Sequence, residues 1–228
     1  MEFKDRIKHI TNDSYTVTLF LTLQEQAQVK HKLKDVNYTL FGGYPNSERK
    51  RLYVNQEPFD ITCFKIRYNS QFLTLTHQNI LGSLLSLNIK KEAIGDILAK
   101  EDCFFMIGEL EDFILNEFKM IGNRPIELEI IDGSTVFREI ELEEHIAYVD
   151  SLRLDLVVSR IAKKSRNEST MMIENELVSI NHVVVTNKNK VVKENDILSI
   201  RKHGRFRVLD TSHTSKKGKI VLKYGKFI

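Results

Sequence analysis

Twelve residues in the last third of the chain are of types that bind phosphate. Arg153, Arg160, Lys163, Lys164 and Arg166 crowd two short helical patterns, with Ser165 among them at a helix-capping position. Lys188 and Lys190 follow on a loop, and Arg201, Lys202, Arg205 and Arg207 on a final cluster. A guanidinium group makes planar, bidentate contacts with phosphate and stays charged, so an arginine-rich helix face beside a basic loop can grip folded RNA by its backbone. The competing reading is a solvated basic face. Charge distribution favours the first: the net charge of the 228 residues is only +3, but residues 1–150 hold 17 Lys+Arg against 24 Asp+Glu (−7), and 151–228 hold 17 against 7 (+10). A compact segment with that excess fits a polyanionic partner. Nucleic acid ranks ahead of an anionic membrane, because no long basic amphipathic helix or lipidation motif accompanies the charge. RNA helices are read mainly by shape and backbone, so structure-selective binding is expected. Phe206 could stack on a base, but packing is the preferred reading. Arg49, Lys50 and Arg51, after Gly42-Gly43, form a candidate second RNA contact, equally readable as a solvated loop.

Catalytic constellations are not found. Cys63 and Cys103, forty positions apart, build no disulfide framework, and without CxxC or HExxH they frame no zinc site. A reducing, cytoplasmic setting and no metal or cofactor are expected. His77 lacks a Cys or Asp partner at ligand or triad spacing, so a capping or packing role is preferred. GxGxxG, Walker and GxSxG patterns are absent. Arg153-Leu154-Asp155 echoes the catalytic triplet of pseudouridine synthases, but the flanking Gly and Thr-x-Gly are missing, and the protein is read as no enzyme. Hydrophobic residues at 42% and charged ones at 29% are an ordinary globular composition. Residues 68–89 lack charged side chains other than His77, yet their many Asn, Gln, Ser and Thr do not suit a bilayer span, so no membrane insertion is expected. The opening MEFKDRIKHI mixes charges where an export signal would be apolar.

The elements that must carry these residues read as an α+β chain in three parts. In 1–58, a small mixed helix/strand region, Thr22 with Glu25 forms a capping box opening a helix to about Asp35, and Tyr38 to Phe41 is a strand. In 59–148, Ile61 to Tyr68 alternates as a strand with Phe64, Ile66 and Tyr68 on one face and Cys63, Lys65 and Arg67 on the other. A helical stripe from His77 to Leu85, strands at Ile94 to Ala99 and Cys103 to Ile107, a helix through Leu110, Phe113, Ile114 and Phe118, and a strand at Ile126 to Ile130 follow. The order βαββαβ fits a ferredoxin-like, RNA-recognition-type domain with helices on one sheet face and the other left available. On that open face Glu127 and Glu129 are expected to pair with Lys65 and Arg67, and Cys63 to lie near Cys103. Residues 103–107 do not match the base-stacking strand of RNA-recognition folds, so a salt-paired surface is preferred there. Asp132-Gly133 then turns the chain into an extra hairpin strand at 135–142. In 151–228, Leu154, Val157, Val158 and Ile161 mark one helix. Ser165 caps a second, running to about Asn175 with Ser169, Met172 and Ile173 inward. Two short strands joined by Asn181-His182, a basic loop at 187–190 and a strand at 196–201 complete the segment.

RLDLVVSRIAKKSRNESTMMIENELVSINHVVVTNKNKVVKENDILSIRKHGRFRV, from Arg153 to Val208, resembles the S4-type RNA-binding domain. GGYPNSERKR at 42–51 and HQNILGSLLSLNIKKEAIGDIL at 77–98 are similar to the YlmH family of bacterial RNA-binding proteins. Glu176-Leu177 stands where that pattern often has Gly-Arg, and Asn175 is taken as the helix-ending residue. The resemblance implies a central domain related to RNA-recognition folds and a C-terminal S4-type domain of the αL kind. It also implies association with the ribosome, in particular with large subunits carrying peptidyl-tRNA, in rescue or quality control of stalled translation, with rRNA and tRNA as partners. The alternative is a protein-interaction adaptor linked to cell division through the acidic N-terminal half.

Overall fold

The structure is a computed structural model and describes residues 3 and 7–228; residues 1, 2 and 4–6 of MEFKDRIKHI lie outside the described residues. Two compact units are present, 1–138 and 139–228.

After a 3-10 turn at Ile7–His9, the first unit continues with β1 (Thr16–Val17) and α1 (Leu23–Lys32). The helix starts where the capping box puts it: Glu25 N–H donates to Thr22 Oγ1 at 3.3 Å and Thr22 N–H donates to Glu25 Oε2 at 2.8 Å. Both satisfy amides that have no partner within the first turn. β2 (Tyr38–Phe41) and β3 (Arg51–Val54) complete a three-stranded antiparallel sheet in the order β1-β3-β2. Val29 and Leu33 pack with Leu52 and Val54 beneath it. All four residues of β3 are buried, so Arg51, expected at the end of a charged loop, instead opens a central strand.

β4 (Ile61–Arg67), α2 (His77–Ser86), β5 (Ile94–Leu98), β6 (Cys103–Ile107), α3 (Glu111–Glu117) and β9 (Glu127–Ile131) follow, with the small hairpin β7 (Met120–Ile121) and β8 (Arg124–Pro125) before β9. The second sheet is antiparallel in the order β5-β6-β4-β9. Phe64 stacks on Phe104 at 5.2 Å, Phe104 meets Phe118 edge-on at 5.7 Å, and Ile80, Leu84 and Ile114 from the helices close this core. His77 is the first residue of α2, immediately after its cap Thr76.

The other sheet face is not left available along its length. Cys63, Cys103 and Phe105 are covered by Tyr44 and Val136, with the Tyr44 and Phe105 rings 4.8 Å apart. The approach is close enough to require glycine: a Cβ on Gly133 would stand 2.7 Å from the Gly43 carbonyl oxygen and 2.8 Å from the Phe105 ring. Cys63 and Cys103 are free, buried and on the same face of neighbouring strands. Their mutual hydrogen bond and burial push the Cys63 thiol up. Toward the far end, Arg67 pairs with Glu129 at 2.6 Å. Lys65 turns instead to the Glu101 carbonyl at 2.8 Å and to Asp102 at 3.8 Å. One of the two expected cross-strand arginine or lysine pairs therefore forms.

Residues 136–141 form no strand. The expected hairpin strand is replaced by β10 (Leu142–Val149), which belongs to the second unit and pairs along its length with β15 (Ile220–Phe227). That unit also holds α4 (Leu154–Ile161), α5 (Arg166–Glu174), β11 (Val178–Ile180), β12 (Val183–Val184), β13 (Ile197–Ile200) and β14 (Gly204–Thr214). Its sheet is antiparallel in the order β10-β15-β14-β13-β11-β12. Val157, Val158 and Ile161 of α4 and Ile173 of α5 pack on one face, against Leu198, Phe206, Val208, Leu222 and Tyr224. Asn181 (φ 49°) and His182 (φ 68°) are both left-handed, the conformation a two-residue hairpin needs to match the strand twist. At the end of α5 the left-handed residue is Glu176 (φ 60°); Asn175 keeps φ −87°.

Candidate nucleic-acid interface

The candidate interface is built around an acid inside α4. Asp155 lies in the first turn on the apolar side of the helix and its side chain is 1% exposed. An isolated buried carboxylate would be costly, and two arginines neutralise it. Arg153, the residue before the helix, donates from Nε to Oδ1 and from Nη2 to Oδ2, both at 3.1 Å. Arg166, the first residue of α5, donates from Nε to Oδ2 at 2.9 Å. Burial acts to raise the Asp155 pKa, but the hydrogen bonds from Arg153 and Arg166 prevail and hold the carboxyl below its usual range. The brace fixes two guanidinium groups while leaving the Arg166 side chain 57% exposed.

The basic loop is fastened to the same place. Leu154 N–H donates to the Lys190 carbonyl at 2.8 Å and Asp155 N–H to the Lys188 carbonyl at 3.2 Å. Arg153 forms a β-bridge with Val191. These backbone bonds bring exposed Lys188 and Lys190 beside Arg153 at the start of α4. The four cations Arg153, Arg166, Lys188 and Lys190 are thus grouped around one helix start.

The turn between the helices holds the next three residues. Lys163 is exposed and left-handed (φ 54°). Lys164 N–H donates to the Ser159 carbonyl at 3.0 Å, and Ser159 Oγ donates back to the Lys164 carbonyl at 2.8 Å. Ser165 is committed to capping: its Oγ accepts from Glu168 N–H at 3.2 Å, and its own N–H donates to Glu168 Oε2 at 2.8 Å. Hydrogen bonds from the Ser165 backbone and side chain, then Lys164 Nζ at 3.3 Å, bring Glu168 down to about 2. Arg160 is exposed on the last turn of α4.

Arg205 and Arg207 lie elsewhere. Phe206 between them is buried, 6.0 Å from the Tyr224 ring in an edge-on contact, and faces the helices. Alternation along β14 turns its two neighbours to the opposite sheet face. There both guanidinium groups lie over the Phe227 ring, at 4.9 and 5.4 Å from its centre. Arg201 and Lys202 are exposed at the tight turn from β13 to β14, where Lys202 (φ 67°) and Gly204 (φ 114°) are left-handed. The predicted basic set therefore occupies two faces of the second unit, with a turn at their edge.

The remaining candidates, in the first unit, are drawn inward. Arg51 donates from Nε to the Thr18 carbonyl at 2.8 Å and from Nη1 to Asp60 Oδ2 at 3.0 Å. Arg49 reaches the carbonyls of Phe20 and Lys91 at 3.3 and 3.2 Å. Burial pulls the Arg49 guanidinium below its ordinary value, and burial followed by the charge of Lys30 does the same for the Lys50 ammonium. Asp155 and Phe227, which hold four of the candidate arginines in place, are the residues that sequence reasoning missed. An acid within the apolar stripe of α4, flanked by Arg153, was the available signal for the first.

The pattern described as an S4 domain matches residues 152–198, and that described as the putative RNA-binding domain in YlmH matches residues 55–135. The chain is 31% identical over 226 residues to ribosome-associated protein quality control protein P2 of Bacillus subtilis (strain 168), covering 93% of this chain and 88% of that protein. Cell division protein ylmH from Streptococcus pneumoniae is a similar solved structure, at 25% identity and a TM-score of 0.45, covering 57% of this chain and 84% of that one. With an S4 domain, a YlmH-type domain and a relative matched over most of both lengths, the chain belongs to the YlmH family of S4-domain proteins.

Proposed function

We propose that the protein is a non-enzymatic, cytoplasmic RNA-binding factor that associates with the ribosome, on large subunits carrying peptidyl-tRNA, in rescue or quality control of stalled translation. Its contacts are with rRNA and tRNA. The observation that carries this reading is the Asp155 brace, which orients Arg153 and Arg166 beside Lys188 and Lys190. Oriented guanidinium groups on a rigid scaffold suit the regularly spaced phosphates of folded RNA. The similarity to a protein named for ribosome-associated quality control supports the ribosomal setting. In the first unit, the element order βαββαβ and sheet order β5-β6-β4-β9 support a ferredoxin-like reading of the central domain.

Sucrose-gradient co-sedimentation tests this. The protein is expected to travel with free large subunits more than with small ones, more again when they carry peptidyl-tRNA, and to be released as salt rises.

A second reading, a cell-division-linked protein adaptor, is favoured by an apolar groove of about 350 Å³ in the first unit, lined by Leu19, Leu87, Ile89, Leu110 and Phe113. Association indifferent to salt, retained by residues 1–138 alone, would favour that reading.

A further inference from the structure

A cleft of about 300 Å³ lies in the second unit between the end of α4 and the sheet face that packs against it. Apart from Lys163, its polar residues belong to no part of the interface described above. Strand register builds it. Glu143 on β10 is opposite Lys226 on β15, which is opposite Phe206 on β14; one row further, His145 is opposite Tyr224, which is opposite Val208. Directly opposed residues share a sheet face, so Glu143 and His145 sit at the margin of the face whose centre is Phe206 and Tyr224. The His145 ring lies on Tyr224 at 5.3 Å with 29° between planes. Tyr224 is buried, whereas His145 keeps 36% of its side chain exposed and is the accessible leaf of the stack. The Glu143 carboxylate is 3.6 Å from His145 Nε2 and 57% exposed. Lys163, His203 and Lys226 complete the lining.

We propose that this cleft takes one unpaired RNA base with its phosphate, and that the base is guanine. The inference rests on the RNA-binding reading above and adds to it a contact that reads sequence, which phosphate contacts do not. A splayed-out base stacks on an aromatic or histidine ring and is recognised along its Watson–Crick edge. A carboxylate only accepts hydrogen bonds, through two adjacent oxygens. Guanine presents two adjacent donors on that edge, the N1–H and the N2 amino group, and matches both oxygens. Adenine and cytosine set an acceptor nitrogen beside their amino group, and uracil flanks its one N–H with two carbonyls, so each turns an acceptor toward Glu143. The lysines and His203 meet the phosphate.

The test uses the full chain and fluorescein-labelled RNA heptamers of uridine whose central base is G, A, C or U, read by anisotropy, with bulk tRNA alongside. The central-G heptamer is expected to bind about tenfold more tightly than the other three, within the range of one good bidentate base contact. In Glu143→Gln that preference is expected to fall to within about twofold. Because the preference is a ratio measured within one protein, a loss of folded material does not imitate it. Equal binding of the four heptamers by the wild type with tRNA still bound overturns the pocket while leaving the RNA reading intact. A guanine preference that survives Glu143→Gln also overturns the pocket. Failure to bind tRNA and all heptamers overturns the RNA reading and the pocket with it.

Discussion

The Nε–H of Arg166 reaches back from the start of α5 to Asp155 Oδ2 in α4, 2.9 Å away across eleven residues of sequence. One ion pair therefore ties the two helices together at their N-terminal ends and aims a cation outward. The same carboxylate couples the packing of the two helices to the placement of the guanidinium groups proposed to meet RNA.

Asp155→Asn is expected to lower stability by about 2–3 kcal/mol, the scale of hydrogen bonds to a charged group at a buried site, and to weaken ribosome association. Equilibrium denaturation in urea measures the first. The Asp155 pKa is lowered on folding, so its contribution is fully present above the ordinary carboxyl value of 3.8 and is lost as pH falls through the lower folded value. The stability difference between wild type and Asp155→Asn should accordingly shrink on acidification below about pH 4. A difference that stays constant or grows would show that the carboxylate charge is not what holds the helices.

Ser165→Ala removes the cap of α5 without touching a guanidinium group. A loss of about 1 kcal/mol is expected, as for other N-caps, with no change in the salt dependence of RNA binding. A loss of RNA affinity in folded Ser165→Ala at an unchanged salt slope, as removal of a neutral phosphate contact would give, would assign Ser165 to the phosphate contacts instead.

Glu176→Gly places glycine where the backbone is left-handed. Relief of the Cβ clash, partly offset by the greater freedom of glycine in the unfolded chain, should raise stability by about 0.5 kcal/mol. An upward shift of the denaturation midpoint checks this; the same substitution at Asn175, with φ −87°, should lower it.

The two basic faces should act independently. Arg153→Ala with Arg166→Ala alters the helix side, and Arg205→Ala with Arg207→Ala the sheet face over Phe227. Because the pairs lie on opposite sides of the sheet, their effects on RNA affinity should add within about 0.5 kcal/mol when combined. Strong non-additivity, measured by filter binding to bulk tRNA, would mean that one RNA element contacts both faces.

Much of this arrangement was legible in the sequence because its determinants are local. Thr22 with Glu25, and Ser165 by itself, mark the residues immediately before α1 and α5. The apolar spacing of Leu154, Val157, Val158 and Ile161 gives the buried side of α4, and alternation in 61–67 gives the faces of β4. What was missed depends on partners distant in sequence. β10 carries glutamates at 143 and 144 and finds its partner only at 220–227, so nothing nearby distinguishes it from an extension of the preceding sheet. Arg51 reads as loop charge until Thr18 and Asp60 are seen to receive its donors. Asp155 sits beside arginines in the sequence, but its pairing with Arg166 requires the helix turn to be closed first. The splitting of the basic cluster was within reach: once Phe206 is taken as core, strand alternation alone sends Arg205 and Arg207 to the other face.

The measurement that bears most directly on the braced basic interface is the affinity for purified large ribosomal subunits across a salt series, for wild type and for Arg153→Ala, Arg166→Ala, Lys188→Ala combined. With about six phosphate contacts at ~0.7 each, log affinity should fall against log salt with a slope near −4 in the wild type, and the triple variant should be shallower by about 2. A flat wild-type response, or a triple variant with the wild-type slope, would contradict an RNA interface centred on Asp155.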